Sequence, residues 1–336
     1  MAAGYSVDIY DYLFKNYIKY DMINALSIRA FYRNYENCMY LNVMIDMHSL
    51  LEGLYRTDIN FTYKNENCIA ASMVNLCAHI RNYYRSYRQV ECKFYLIWSK
   101  NRPEIVRQAI PEYNAHQIMA EDSNTIITEL INKNIDILKL ITKYIPGVYV
   151  VDGGNEESYV VETALMAESN AITQMLAAPR VIISKDPMNY VTVVDNPSTV
   201  MFRPKKVNGE DRSYLVSKSY IHQMYIMNEL KNKYDEGIAY PRFITCLMYS
   251  GIKCRGVNGV CKYKEVANKM NTPLTAEDQQ ITLNNYIALD IENATRNLLQ
   301  STPTLFENIV DLYDPEAVKE LNNKEFITYP LDLNVL

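Results

Sequence analysis

Four short apolar runs punctuate the chain. Tyr40-Leu-Asn-Val-Met-Ile45 closes on Asp46, Cys92-Lys-Phe-Tyr-Leu-Ile-Trp98 precedes Ser99, Val148-Tyr-Val-Val151 closes on Asp152, and Arg180-Val-Ile-Ile-Ser184 leads to Asp186. Short runs rich in β-branched and aromatic residues, bounded by turn formers, predict buried strands. Between them, apolar positions recur every three or four residues over 5–38, near 68–87, over 104–145 with a break near Glu121-Asp-Ser-Asn, and over about 157–177, which predicts helices. Thr192-Val-Val and Thr199-Val-Met-Phe202 predict a strand pair at the sheet edge. After residue 215 the pattern turns helical, apart from glycines at 251, 256 and 259. Strands alternating with helices predict an α/β fold with a mainly parallel central sheet flanked by helices.

Composition narrows the function classes. The 336 residues suffice for two lobes or one large domain, and no repeat or low-complexity run is visible. A net charge of −5 excludes a uniformly basic nucleic-acid binder but not a locally basic one. Residues 203–270 carry 13 Lys/Arg against 6 Asp/Glu, whereas 271–336 carry 3 against 11. The first segment predicts an anion-facing surface and the second a surface that avoids anions or meets a partner; two solvated faces of opposite sign are the alternative. Seven Cys without a CxxC pair, and only 4 His, argue against a zinc site or a disulfide scaffold and for a reducing compartment. No run approaches about 18 uninterrupted apolar residues, and Met1–Phe14 has no basic stretch before an apolar core. The expectation is a soluble cytoplasmic protein with no membrane partner. The 29 Tyr, against 1 Trp and 8 Phe, suit base stacking or half-wet cores, the latter being the commoner use.

In such a sheet, ligands gather at the carboxyl ends of the strands. Those positions here are Asp46, Trp98-Ser99, Asp152 to Glu157, and Ser184 to Asp186, so three of the four places offer carboxylates. Converging carboxylates hold hard cations such as Mg²⁺, and two ions about 3.5–4 Å apart activate a phosphodiester. A helix cap or turn is the alternative role for any single Asp of this kind.

Five segments, collinear over roughly 40–270, resemble the 5′-nuclease superfamily of flap endonucleases and 5′–3′ exonucleases. Ile45-Asp-Met-His-Ser-Leu-Leu51 is similar to the family's opening strand. Phe94-Tyr-Leu-Ile-Trp-Ser-Lys100 and Ile110-Pro-Glu-Tyr-Asn-Ala-His-Gln117 resemble its second strand and the start of its helical arch. Gly154-Asn-Glu-Glu-Ser-Tyr-Val-Val-Glu-Thr-Ala164 and Ile183-Ser-Lys-Asp-Pro-Met-Asn-Tyr-Val191 fall where the family has acidic motifs. Gly251-Ile-Lys-Cys-Arg-Gly-Val-Asn-Gly-Val260 resembles its helix-three-turn-helix loop, in a form closest to phage versions. The resemblance implies a PIN-like core over 40–202 with an arch at about 104–145 and a basic helix-three-turn-helix region over 203–270; periodicity and charge add a helical extension over 1–39 and an acidic helical region over 271–336.

The departures carry equal weight. Asp46, Glu156 and Asp186 remain as the implied catalytic and metal-binding residues. Trp98 or Ser99 stands in place of one family Asp, Ser158-Tyr159 in place of an Asp pair, Ser184 in place of another Asp, and Ile252 in place of the acid before the loop. The arch lysine and arginine are Asn114 and Gln117, and the glycine after the loop is Cys261. Three carboxylates suit one Mg²⁺ ion at most. Glu157, Glu162 or Asp152 would have to shift to add to them. His48 beside Asp46 is expected to be structural, and Tyr113 and Tyr159 to pack rather than stack on bases.

What the resemblance leaves is a DNA-binding shape. Lys253, Arg255, Gly256, Val257, Gly259, Lys262 and Lys264 are the expected DNA contacts, with backbone N–H groups and a following helix N-terminus approaching a phosphate, and Arg203, Lys205 and Lys206 upstream. A glycine turn between packed helices is the alternative. Three functions are compatible with the sequence. One is a DNA-binding protein with an eroded metal site and weak or no nuclease activity, serving as a subunit of a phage DNA-processing or virion assembly. The others are a working Mg²⁺-dependent exonuclease or flap endonuclease with a reduced ligand set, and a purely structural viral protein. Residues 1–39 and 271–336 lie outside the resemblance and are the expected sites of protein contacts.

Overall fold

The computed structural model describes residues 40–47, 77–78, 80–82, 85, 91–98, 110, 142, 146–153, 161, 180–184, 186–195, 199–207, 210–216, 236–252 and 256–290. The helices expected over 5–38 and, apart from single residues, over 104–145 and 157–177 lie outside them. Residues 77, 78, 80–82 and 85 are helical, as is Val161, in keeping with the periodicity there.

Among the described residues, six strands form one sheet in the order β3-β2-β1-β4-β5-β6. They are β1 (Tyr40–Asp46), β2 (Glu91–Trp98), β3 (Val148–Asp152), β4 (Arg180–Ile183), β5 (Thr199–Val207) and β6 (Glu210–Val216). The pairs β1–β2, β2–β3, β1–β4 and β4–β5 are parallel, and β5–β6 is antiparallel. The apolar runs follow from this order. A central strand of a parallel sheet is covered on both faces, so its residues are apolar without alternation. Leu41, Val43, Met44 and Ile45 of β1 are all buried, as are Val181, Ile182 and Ile183 of β4. Burying each such side chain stabilises the fold by about 1.5–3 kcal/mol.

Two expectations are corrected. Residues 192–194 are not an edge strand: a 3₁₀ turn (Pro187–Asn189) leads into helix α1 (Tyr190–Asp195). Val191, Thr192 and Val193 are all buried, so packing overrides the β preference of branched side chains. The partner of β5 is instead β6, a polar edge strand whose sequence Glu-Asp-Arg-Ser lacks an apolar signal. The register Val207↔Glu210 leaves two residues, Asn208 and Gly209, between the paired strands. Asn-Gly is the strongest short hairpin signal, and it was the sign available in the sequence.

Beyond the sheet, α2 (Glu236–Ser250) packs against α1 and against α4 (Ala276–Ala288), with α3 (Val266–Met270) between them in sequence. Thr275 caps α4 by accepting the Asp278 N–H at 3.1 Å, and Lys269 ties α3 to α4 through Asp278 at 2.9 Å. No described helix is long and apolar enough to cross a membrane.

Candidate functional site

Parallel registers bring the strand ends to one edge. Asp46 pairs with Ile97, Trp98 with Asp152, and Ile45 with Ile183, so Asp46 and Ser184 end neighbouring strands one residue further on. Asp46 is 1% exposed, Ser184 0% and Asp186 6%. The Ser184 hydroxyl donates to Asp46 Oδ2 at 2.7 Å and accepts the Asp186 N–H at 2.9 Å. Asp186 Oδ1 in turn accepts the Met188 N–H at 2.9 Å, fixing the turn that opens α1. Two of the three expected acids, Asp46 and Asp186, are thus brought together through one hydroxyl. Glu156, with Glu157 and Glu162, lies outside the described residues, as do His48, Tyr113 and Tyr159. Trp98 is buried at the end of β2, an apolar side chain at this otherwise polar edge.

The donor set can be tested against the ions that the fold family implies. Among the described residues no three His, Cys, Asp or Glu side chains are grouped to hold a metal ion. Asp46 and Asp186 each already spend one carboxylate oxygen on a hydrogen bond within the protein. Two Mg²⁺ ions about 4 Å apart need enough anionic oxygen to offset both lost water and mutual repulsion. The described residues do not fit a metal pair.

The glycine loop is the second feature. Gly251 ends α2 with φ +78°, and Gly256 has φ +72°, the left-handed region that favours glycine. A Cβ on Gly251 would collide with the backbone of Val257, Asn258 and Gly259, and one on Gly259 with that of Tyr249, Ser250 and Gly251. The two glycines therefore let the loop fold back on the end of α2. There the Val260 and Cys261 N–H groups meet the Tyr249 carbonyl at 2.8 and 3.2 Å, while Val257 N–H meets Ile252 at 3.2 Å. These bonds satisfy carbonyls that a helix end leaves open. Asn285 on α4, 1% exposed, locks the arrangement by donating from Nδ2 to Met248 O at 2.9 Å and Asn258 O at 3.3 Å. A cleft of about 210 Å³ lies beside the loop, lined by Ile110, Gly256, Val257, Asn258, Ile281, Asn284 and Asn285.

The helix expected after the loop is short: a 3₁₀ turn (Tyr263–Glu265) leads into the five-residue α3. The Lys262 N–H that opens it donates to the Glu265 carboxylate at 3.2 Å. What the loop does present is exposed Gly256 and Asn258, followed by exposed Lys262 and Lys264. Lys264 Nζ stands 5.7 Å from the Tyr263 ring centroid. Neither lysine forms an ion pair among the described residues, in contrast to Lys269, which is held by Asp278. That hydrogen bond with Lys269 also holds the Asp278 carboxyl below its usual range. Val257 is buried and acts as a loop anchor; Lys253 and Arg255 lie outside the described residues.

Sequence reading missed Asn285 and Ile110 as neighbours of the loop. A polar residue buried beside Thr282 and Ala288 on a helix as polar as α4 has no sequence signature of its own.

Comparison with solved structures bears on the fold. The chain is similar to the T5 D15 protein co-crystallised with metal ions, with TM-score 0.51 and 13% identity over 81% of this chain and 98% of that one. It is also similar to the bacteriophage T5 D15 flap endonuclease in a pseudo-enzyme–product complex with DNA and metal ions, with TM-score 0.52 and 13% identity over 84% and 100% of the two chains. No family model and no curated protein matches the sequence. The chain has the 5′-nuclease fold, a PIN-like α/β core built on a parallel sheet.

Proposed function

We propose that this chain is a DNA-binding protein that uses the 5′-nuclease fold to hold branched or duplex DNA by its phosphate backbone, with weak or no cleavage. The observation that carries the reading is the pairing of a rigid, glycine-locked loop with a poor carboxylate set. The loop offers backbone and two lysines that form no ion pair among the described residues, while the described strand ends do not offer the oxygens that two cations require. Lys253 and Arg255 extend the basic loop in sequence. Asp46, Glu156 and Asp186 then form a residual acidic cluster that takes one Mg²⁺ at most. Protein contacts fall to 1–39 and 271–336, the latter supported by Leu283, Tyr286 and Ile287, which are 51%, 48% and 37% exposed on successive turns of α4. Such contacts fit a subunit of a larger phage DNA-processing or virion assembly.

Fluorescence anisotropy with a labelled 5′-flap duplex tests the binding. Affinity is expected to be sequence-independent and to fall linearly on a log–log plot against salt. The Lys262→Glu/Lys264→Glu double variant is expected to weaken binding by about tenfold or more and to flatten the salt slope by roughly two. Absence of binding at low salt in the wild-type chain would sink the proposal.

A further inference from the structure

We infer that Ser184 is a positioning residue whose hydroxyl does, at the strand ends, the holding that a cation would otherwise do. The inference rests on the proposed reading of the carboxylate centre, not on DNA binding. A carboxylate buried as deeply as Asp46 is costly unless donors meet its oxygens. Ser184 is the neighbouring strand's end residue, fully buried, and its hydroxyl has one hydrogen and two acceptor sites. The Asp186 N–H occupies an acceptor site, which leaves the hydrogen for Asp46 Oδ2. Asp186 then turns its own Oδ1 onto the Met188 N–H. A single hydroxyl thus links the end of β1, the end of β4 and the turn into α1, across 138 residues of sequence. All three connections are neutral-donor hydrogen bonds that need no ion.

The same geometry makes position 184 the point that decides cation dependence. A carboxylate there would face Asp46 across adjacent buried strand ends, with Asp186 two residues away. Two buried carboxylates side by side share a proton or bind a cation, because both cannot stay charged and unneutralised. Ser184→Asp is therefore expected to convert a cation-independent centre into a cation-dependent one.

Thermal melts of the full chain, in EDTA and in millimolar Mn²⁺, read this directly. Wild type is expected to melt at the same temperature in both. Ser184→Ala removes the hydroxyl donor from Asp46 Oδ2 and is expected to lower the midpoint by roughly 2–8 °C in both buffers. Ser184→Asp is expected to melt lower still in EDTA and to recover in Mn²⁺, a response that a merely space-filling residue would not produce. A wild-type midpoint raised by Mn²⁺, with the rise abolished by Asp46→Asn, would overturn the inference. So would Ser184→Ala melting like wild type, or folded Ser184→Asp indifferent to Mn²⁺. If Ser184→Asp fails to fold in either buffer, the wild-type and Ser184→Ala melts decide alone. Anisotropy on the same preparations keeps the two readings apart: lost DNA binding in wild type counts against the function and leaves the melts unaffected.

Discussion

Gly251 and Gly256 share a left-handed backbone but not the same surroundings, and substitution separates the two effects. At Gly256, which is exposed, an alanine meets a conformational cost of about 1–2 kcal/mol. At Gly251 the same methyl group also strikes the backbone of Val257–Gly259. Gly251→Ala is therefore expected to destabilise by more than about 3 kcal/mol, and Gly256→Ala by less, in urea denaturation. A second expectation concerns the buried thiols. Burial pushes Cys77 and Cys92 up from 9.0 to about 12, and burial together with neighbouring Tyr149 pushes Tyr95 up to about 12. The folded state then keeps these protons after the unfolded chain has begun to lose them. Stability is complete below pH 9 and falls progressively between about 9 and 12, as these shifts require. Denaturation midpoints measured across that range check the direction, and Cys77 and Cys92 should resist alkylation at pH 8 until the protein unfolds. Tyr95 and Tyr149 stack at 5.4 Å on half-buried positions of neighbouring strands, so these two tyrosines pack against each other.

Elements were legible where burial leaves a mark on local sequence. β1 through β4 are apolar because both faces are covered, and the carboxyl-end positions followed from their parallel order. The short α1 was not, since Val191-Thr192-Val193 carries a strand-like composition into a buried helix. The polar β6 was not either, since its opening Glu-Asp-Arg-Ser carries no apolar run. At the loop, the glycines announced a tight turn, but the residue that secures it, Asn285, is 27 residues beyond Asn258 on another helix. Asn285→Ala removes two donors from buried carbonyls and is expected to cost about 1–3 kcal/mol. DNA affinity measured by anisotropy should fall with it, although Asn285 is no charge. The Lys269–Asp278 pair between α3 and α4 is partly exposed, and Lys269→Ala is expected to cost less than about 1 kcal/mol.

For the molecule as a whole, the net charge of −5 conceals a separation of roles. The basic stretch over 203–270 holds the β5–β6 hairpin and the glycine loop, and the acidic stretch after 271 begins with α4, which packs on α2. The carboxylates follow a different logic: 39 acids are present in the chain, and of those at the described strand ends Asp46 and Asp186 are joined by a serine. That joint depends on β4 lying beside β1, a neighbour relation invisible until the strand order is known. The central claim, DNA held with weak or no cleavage, is tested most directly by incubating a labelled 5′-flap substrate with excess protein in Mn²⁺ and resolving the products on a denaturing gel. The substrate is expected to be retained by the protein and recovered intact. Cleaved product that disappears in the Asp186→Ala variant would contradict the account.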